Sequence, residues 1–383
     1  MKRGRRSTIA ASLLAATFGG MTPPAMASLL PDRATIDRVL ESLGGSQQVD
    51  ESKTIDWGVL PGPFYMPETS LGIGVALVGL YRPDRADRDT QLSSLTLTGY
   101  ASVTGLFGFS FDNYSFFEGD RWRLFVNGSL NNQPSEFWGI GYAAGRDDHT
   151  QEYTAQSFDL WPKGFVRIAP ATWIGAGWSV EQLHATELED GQDNAIHDTD
   201  DGPSVFSSGL SVHLLHDTRD FVPNPAQGSV LSVDYAAYAP GFGGDDRFDV
   251  LVTRYGSYYA IDAANTLAFD LYGDFRSGDV PWNMLAVLGN DERMRGYYNG
   301  RYRDRDALST QLEWRRQLAW RHGVALWAGA GTLAPRVSDL GEHWLPSYGA
   351  GYRFMFKPRV NVRFDLGFGR DSTGFYFQVG EAF

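Results

Sequence analysis

Arg359-Val-Asn-Val-Arg-Phe-Asp-Leu-Gly-Phe-Gly369 is the stretch that decides the fold, because its residues alternate between apolar and polar. One face would carry the apolar residues Val360, Val362, Phe364, Leu366 and Phe368, and the other the residues between them. This period of two predicts a β-strand that separates two different environments. The strands of a soluble β-sandwich alternate as well, so one strand does not choose between a sandwich and a membrane barrel.

The same alternation recurs along the chain and predicts sixteen strands. The longest uninterrupted run of apolar residues and glycine after the first residues is Leu71 to Tyr81. This run is too short for a transmembrane helix, which needs about 20 residues. The predicted strands are 57–65, 69–82, 92–104, 106–118, 121–132, 153–168, 172–185, 205–217, 228–239, 247–261, 265–277, 306–320, 322–333, 347–357, 359–369 and 373–383.

The lengths of the connections indicate a membrane barrel. The long polar connections 133–152, 186–204, 278–305 and 334–346 all follow odd-numbered strands, whereas the tight connections 169–171, 262–264, 321 and 358 follow even-numbered ones. Outer-membrane barrels have short periplasmic turns and longer outer loops. We therefore predict an all-β fold, a 16-stranded antiparallel transmembrane β-barrel over 57–383 in the bacterial outer membrane. The connections 83–91 and 218–227 are exceptions, since they are long and lie on the predicted periplasmic side.

The first residues predict export. Lys2, Arg3, Arg5 and Arg6 precede an apolar stretch from Ile9 to Phe18 and the small-residue exit Ala25-Met26-Ala27, which predicts a signal peptide over 1–27. Residues 28–56 form a short segment in which Ile36, Val39, Leu40 and Leu43 have helical spacing. This segment is expected to be a flexible leader, a helix that plugs the barrel, or a helix that lies on the membrane.

Composition excludes several classes of function. The chain has no cysteine, which excludes disulfides and thiolate metal sites. Its net charge is −13, and removal of the basic signal peptide makes it more acidic, so nucleic acid is not an expected partner. No calcium-loop pattern occurs in the acidic connection 186–204, so we predict no metal and no cofactor.

Four segments resemble a known family. Met294-Arg295-Gly296-Tyr297 is similar to the Val-Arg-Gly-Phe/Tyr motif of the bacterial surface-antigen superfamily, which includes barrel-assembly (BamA/TamA-like) insertases and two-partner-secretion translocators. The other similar segments are the periplasmic turn Asp217-Thr218-Arg219-Asp220, the loop start at 137–142, and the closing strands around 349–354 and 380–383. Translocases of this family generally carry periplasmic POTRA domains, so the short segment 28–56 leads us to expect a member that lacks them.

The resemblance implies site residues. Loop residue Arg295 should fold back into the lumen and bind inward-facing carboxylates, for which Glu313 and Asp365 are the candidates, because a poorly solvated guanidinium needs a partner. Many members carry an acidic residue on the thirteenth strand, where this chain has Gly329. The residues Phe375, Phe377, Val379 and Phe383 are expected to form the closing barrel signal on the lipid-facing side of the last strand.

The resemblance also implies a function without bond chemistry. The barrel is expected to assist insertion or translocation of outer-membrane proteins, by opening a seam weakened by Pro61 and Pro63 or by thinning the bilayer. Its expected partners are outer-membrane lipid, lipopolysaccharide and client outer-membrane proteins. The alternatives are a passive or gated solute pore and a structural surface protein. Ser211 and His213 share one face and Asp217 follows them, which suggests a hydrolase, but polar lumen lining explains Ser211 and His213 better, so we predict no enzyme.

Overall fold

A computed structural model describes residues 33–46, 48–50, 52–66, 70–84, 87–88, 90–102, 106–147, 149–189 and 196–383. The predicted signal peptide 1–27 lies outside these residues. Sixteen strands form a single sheet in which each strand pairs antiparallel with its neighbours in chain order. The predicted 16-stranded antiparallel barrel is thereby confirmed.

The strand limits follow the alternating pattern closely. Two predicted limits were wrong by more than three residues: β5 continues past residue 132 to Phe137, and β18 ends at Val379 instead of 383. The short strands β12 and β13 were not predicted and form a separate hairpin. The strands are β1 Asp56–Met66, β2 Ser70–Tyr81, β3 Ser93–Ser102, β4 Phe107–Phe117, β5 Trp122–Phe137, β6 Gln151–Ala169, β7 Thr172–Thr186, β8 Ser204–Asp217, β9 Gly228–Tyr238, β10 Phe248–Ala260, β11 Asn265–Gly278, β12 Ala286–Leu288, β13 Tyr302–Asp304, β14 Asp306–Ala319, β15 His322–Ala334, β16 Leu345–Lys357, β17 Val360–Phe368 and β18 Thr373–Val379.

The apolar and polar faces of the sheet are arranged in the opposite way to those of a soluble β-protein. On β8, Leu210, Val212 and Leu214 are exposed, whereas Ser211 and His213 between them are buried. In the middle of this strand, apolar side chains thus point outward and polar ones point into the lumen. This is the arrangement that a barrel needs in lipid, because its outer surface contacts hydrocarbon.

A short helix, α1 (Arg33–Ser42), lies at the periplasmic rim of the barrel. Its Asp37 accepts hydrogen bonds from Trp320 Nε1 at 3.2 Å and Arg321 Nε at 3.1 Å, in the turn between β14 and β15. Leu40 is buried against Phe356 of β16. The only other α-helix of the described chain is α2 (Tyr142–Arg146), and neither helix is long and apolar enough to cross a membrane.

The two ends of the sheet meet at a seam that side chains close. Within the described residues, β1 has a ladder with β2 and β18 has a ladder with β17, but no ladder joins β1 to β18. Leu60 on the inner face of β1 packs in the same cluster as Phe377 on the outer face of β18. The ring of Phe377 also lies 3.6 Å from the position that a Cβ atom on Gly62 of β1 would take, so apolar side chains pack between the two edge strands.

The residues after β18 correct one expectation. Phe383 does not share a face with Phe375 and Phe377, but is buried in a cluster with lumenal Phe125 and Phe165. Val379 packs against Val78, Leu80 and Phe221, so it does not face lipid either. Gly380 has a φ of 99°, a value that glycine adopts without steric cost, and its N–H donates to the carbonyl of Asn361 at 2.7 Å. This turn directs the chain into the lumen.

Candidate functional site

The loop between β11 and β14, residues 279–305 (the lumen loop), folds into the barrel. The hairpin of β12 and β13 gives it a fixed shape, and Trp282 anchors it with an indole that is 1% exposed and packs against Phe137 and Tyr153. The sequence did not reveal this hairpin, because each of its strands has only three residues and 13 residues separate them. The resembling loop start at 137–142 contacts it, since Gly141 N–H donates to Arg303 O at 2.8 Å.

The motif Met294-Arg295-Gly296-Tyr297 forms the tip of the lumen loop and lies on β17. Gly296 has a φ of 113°, and a Cβ atom at this position would come within 2.6 Å of the backbone of Phe368 and Gly369. Only glycine permits such a close approach in this conformation. The glycine therefore sets the distance between the loop backbone and the barrel wall, and this distance places the Arg295 side chain.

Arg295 is completely buried and binds two carboxylates. Its Nη1 donates to Asp365 Oδ2 at 2.6 Å and its Nη2 donates to Glu313 Oε2 at 2.5 Å. The guanidinium also lies over the ring of Trp327, with 3.6 Å between Cζ and the ring centroid. A buried guanidinium is expensive unless it is paired and hydrogen-bonded, and this arrangement provides both.

Other charged groups surround this pair on the lumen wall. Glu313 also accepts from Arg315 at 2.7 Å, and Asp365 accepts from Arg363 at 2.8 Å and Arg353 at 2.5 Å. Glu381 binds Arg353 at 2.8 Å, and Asp291 of the lumen loop binds Arg363 at 2.9 Å. The set of Arg295, Arg315, Arg353, Arg363, Asp291, Glu313, Asp365 and Glu381, which we name the lumen network, balances its charges.

Many members of the resembling family have an acidic residue at the position of Gly329, and the structure shows which residue supplies a carboxylate in its absence. Gly329 pairs with Gln311, and a Cβ atom there would lie 2.6 Å from the carbonyl oxygen of Thr310. The second carboxylate comes instead from Asp365 on β17. Arg295 is therefore tied to the strand next to the seam strand β18.

Further hydrogen bonds join the motif to β18 and its turn. Gly296 N–H donates to Tyr376 Oη at 2.9 Å, and Ser372 Oγ donates to Gly296 O at 2.6 Å. Tyr297 Oη donates to Pro346 O and accepts from the N–H of Arg370, both at 2.7 Å. The motif thus holds both strands of the β17–β18 hairpin from inside the barrel. Met294 is buried as well.

The predicted periplasmic turn is held by an ion-pair cluster on the other side of the barrel. Asp217 accepts from Arg219 Nε and from Arg123 Nη1, each at 2.8 Å. Arg123 also stacks on Trp173, with 3.5 Å to the ring centroid. Asp220 accepts hydrogen bonds from the N–H groups of two residues further along the turn. Asp217, Arg219 and Asp220 therefore act on the turn and lie apart from the lumen network.

The serine and histidine of β8 find a partner that the sequence did not indicate. Ser211 Oγ lies 2.9 Å from His213 Nε2, and His213 Nδ1 is hydrogen-bonded to Asp234 of β9 rather than to Asp217. Asp234 was missed because it faces His213 only through the register of β8 and β9. The hydroxyl of Ser211 packs over Gly177 of β7, and Ser211 is 6% exposed. The hydrogen-bonded residues Ser211, His213 and Asp234 therefore contribute to the packing of β7, β8 and β9.

Comparisons with known proteins show the family and support the fold. The model of the Omp85 superfamily domain matches residues 94–383. The fold is similar to BamA from Haemophilus ducreyi lacking POTRA domains 1-3 (TM-score 0.52, 13% identity, 91% of this chain and 77% of that one). No curated protein matches the chain.

Two further solved structures are similar at the level of the fold. They are CdiB from Acinetobacter baumannii (TM-score 0.53, 13% identity, 86% of this chain) and CdiB from Escherichia coli (TM-score 0.55, 13% identity, 86% of this chain). The chain spans 60% and 63% of the length of these two proteins. Because the family model covers most of the chain, the chain belongs to the Omp85 superfamily, the bacterial outer-membrane β-barrels of protein insertion and translocation.

Proposed function

We propose that this barrel assists the insertion or translocation of outer-membrane proteins at the seam between β1 and β18, and that Arg295 is the latch that keeps the seam closed. The observation that carries the proposal is the attachment of the lumen loop to the seam edge. Arg295 binds Asp365 on β17, and Gly296 binds Tyr376 on β18. No covalent bond is made or broken in this process.

The seam is the suitable place for a client because, among the described residues, no ladder of hydrogen bonds joins its two edge strands. An edge strand offers a template on which another chain can add a strand. At this seam, apolar packing such as that of Phe377 beside Gly62 separates more easily than a ladder of hydrogen bonds would. Release of Arg295 would free the β17–β18 hairpin to move while the ladders of the other strands stay intact.

The partners follow from the surfaces of the barrel. The exposed apolar residues of the outer wall would contact outer-membrane lipid, and the outer loops would contact lipopolysaccharide. Client outer-membrane proteins would enter at the seam from the periplasm. We also propose that residues 28–56 are a short segment separate from the barrel domain. Its helix α1 packs next to the seam.

A locked seam tests the proposal. The chain has no cysteine, and Phe377 lies beside Gly62, so a Gly62→Cys, Phe377→Cys variant can be crosslinked across the seam with a short thiol reagent. The assay is the rate at which an unfolded outer-membrane barrel folds into liposomes that contain the purified variant. We expect crosslinking to abolish the acceleration and cleavage of the crosslink to restore it.

A matched control locks two strands that are already paired. Leu251→Cys with Phe275→Cys joins β10 to β11, where these two residues face each other in the ladder. This lock should leave the acceleration unchanged. If the seam lock also has no effect, clients do not use the seam and the proposal is wrong.

A gated solute pore is the second candidate, because the lumen contains a cavity with charged and polar side chains in its lining. The cavity has a volume of about 370 Å³, and its lining includes Asp112, Asn127 and Lys163. The folding assay separates the two candidates, since a pore would not accelerate client folding in any variant.

A further inference from the structure

The two long connections on the periplasmic side meet beneath the lumen. These are the connection between β2 and β3, residues 82–92, and the turn between β8 and β9, residues 218–227. The side chain of Gln91 accepts a hydrogen bond from Val222 N–H at 3.2 Å, which joins the two. Short turns are sufficient at this side of an outer-membrane barrel, so the additional length has a use that strand connection alone does not explain.

The 218–227 turn extends to the opposite wall of the barrel. It leaves the eighth and ninth strands of a sheet of sixteen, which lie farthest from the seam. Nevertheless, Phe221 is 5% exposed and packs with Val78 and Leu80 of β2 and Val360 of β17, next to the seam. An aromatic side chain that crosses the mouth in this way fills space that water and solutes would otherwise occupy.

Polar contacts fix the far end of the turn. Arg359, between β16 and β17, binds Asp220 at 2.9 Å and donates to the carbonyl oxygen of Asn224 at 2.6 Å. Its guanidinium also lies over the ring of Phe221, 5.1 Å from the ring centroid. The turn is therefore attached at both walls and is not a free loop below the barrel.

The near end of the turn is equally rigid. Asp217 is held by Arg123 and Arg219, as described above. Gly228 has a φ of 99°, and a Cβ atom at this position would come within 2.2 Å of the carbonyl oxygen of Thr218. The chain therefore leaves the wall in one fixed direction, toward the centre of the mouth.

The turn and the lumen loop line the same cavity. Val222 and Pro223 of the turn line the cavity of about 370 Å³, and Glu292 of the lumen loop lines it as well. Phe383, which Gly380 directs inward, forms a further part of its boundary. The turn and the lumen loop thus border one cavity of the lumen, and each is attached to the barrel wall by its own contacts.

We propose that the turn 218–227, together with Gln91 to which it is hydrogen-bonded, forms a periplasmic floor, with Phe221 at its centre, that closes the lumen independently of the lumen loop. This inference goes beyond the proposed function, because it concerns passage through the lumen and does not depend on how clients are handled. It implies that release of Arg295 alone does not open the barrel.

Single-channel conductance in planar bilayers tests the floor. The variants are Arg295→Ala, Phe221→Ser and the double variant, each purified as the full chain. Current through two constrictions in series is limited by the narrower one, so each single variant should conduct little more than the wild type. The double variant should conduct far more than the sum of the two single increases, which is the signature of coupled closures.

Two controls make the outcome decisive. Ile261→Ser alters an exposed side chain of another periplasmic turn and should change no conductance in either background. A variant with Phe221→Cys and Val360→Cys in the Arg295→Ala background should conduct poorly when the two cysteines are oxidised to a disulfide and well after reduction. Because the same folded protein is measured in both states, a difference in folding cannot explain the change in conductance.

The proposal is overturned if Arg295→Ala alone conducts as well as the double variant. It is also overturned if oxidation of the cysteine pair leaves the current unchanged. Neither result would bear on the seam, because client folding is measured separately.

Discussion

Replacement of Arg295 by alanine should detach the tip of the lumen loop without unfolding the barrel. The side chain makes two ion pairs, at 2.5 and 2.6 Å, and one cation–π contact. Breaking a buried ion pair costs about 3–5 kcal/mol when the partner is left uncompensated. Glu313 keeps Arg315, and Asp365 keeps Arg353 and Arg363, so the lower end applies.

A loss of about 3 kcal/mol corresponds to roughly a hundredfold change in the docking equilibrium, since each 1.4 kcal/mol is a factor of ten. Hydrogen exchange of the amides over 289–301 measures this equilibrium directly, because exchange proceeds through local opening. We expect these amides to exchange about a hundred times faster in Arg295→Ala, while the strand amides stay protected.

A control on the same loop is Arg305→Ala, which removes an exposed arginine. Its exchange pattern should match that of the wild type. If Arg295→Ala also exchanges like the wild type, the backbone contacts of Gly296 and Tyr297 hold the tip, and the latch role of Arg295 is refuted.

Three further substitutions have expected results. Gly329→Asp should not restore docking in an Asp365→Asn background, because its Cβ would collide with backbone, and loop exchange should stay fast. Gly296→Ala should destabilise the folded barrel by about 1–3 kcal/mol, the cost of backbone strain and steric overlap, so the folded band in heat-modifiability gels should disappear at a lower temperature. Asp217→Asn should leave Arg123 with a weaker partner, so proteolysis of the periplasmic turn by added protease should become faster, whereas Ser229→Ala should not change it.

The sequence predicted the fold well because each strand carries its own signal. A lipid-facing side and a polar lumen impose the alternation on every strand separately, so sixteen strands were found without knowledge of their partners. The same logic located Glu313 and Asp365 on the inward face. It could not decide how the loop reaches them, because the φ of Gly296 and the separate hairpin depend on contacts with distant strands.

The errors have a common cause. Phe383 continues the alternating pattern, but Gly380 interrupts the strand and reverses the direction of the side chain. Asp234 stands opposite His213 only through strand register, which the residues alone do not encode. In both cases one backbone conformation or one pairing outweighs a local pattern.

The lumen network also has a consequence for the order in which the barrel itself forms. Arg295 and Asp365 are 70 residues apart in the chain, and Asp365 lies on the penultimate strand of the sheet. Contacts of such long range form late in folding, because many residues must first be ordered. The guanidinium of Arg295 therefore stays hydrated until β17 has been added to the growing sheet. Its burial then marks a nearly complete barrel, so the same residue that we assign to the latch would report that the chain has finished folding around its own loop.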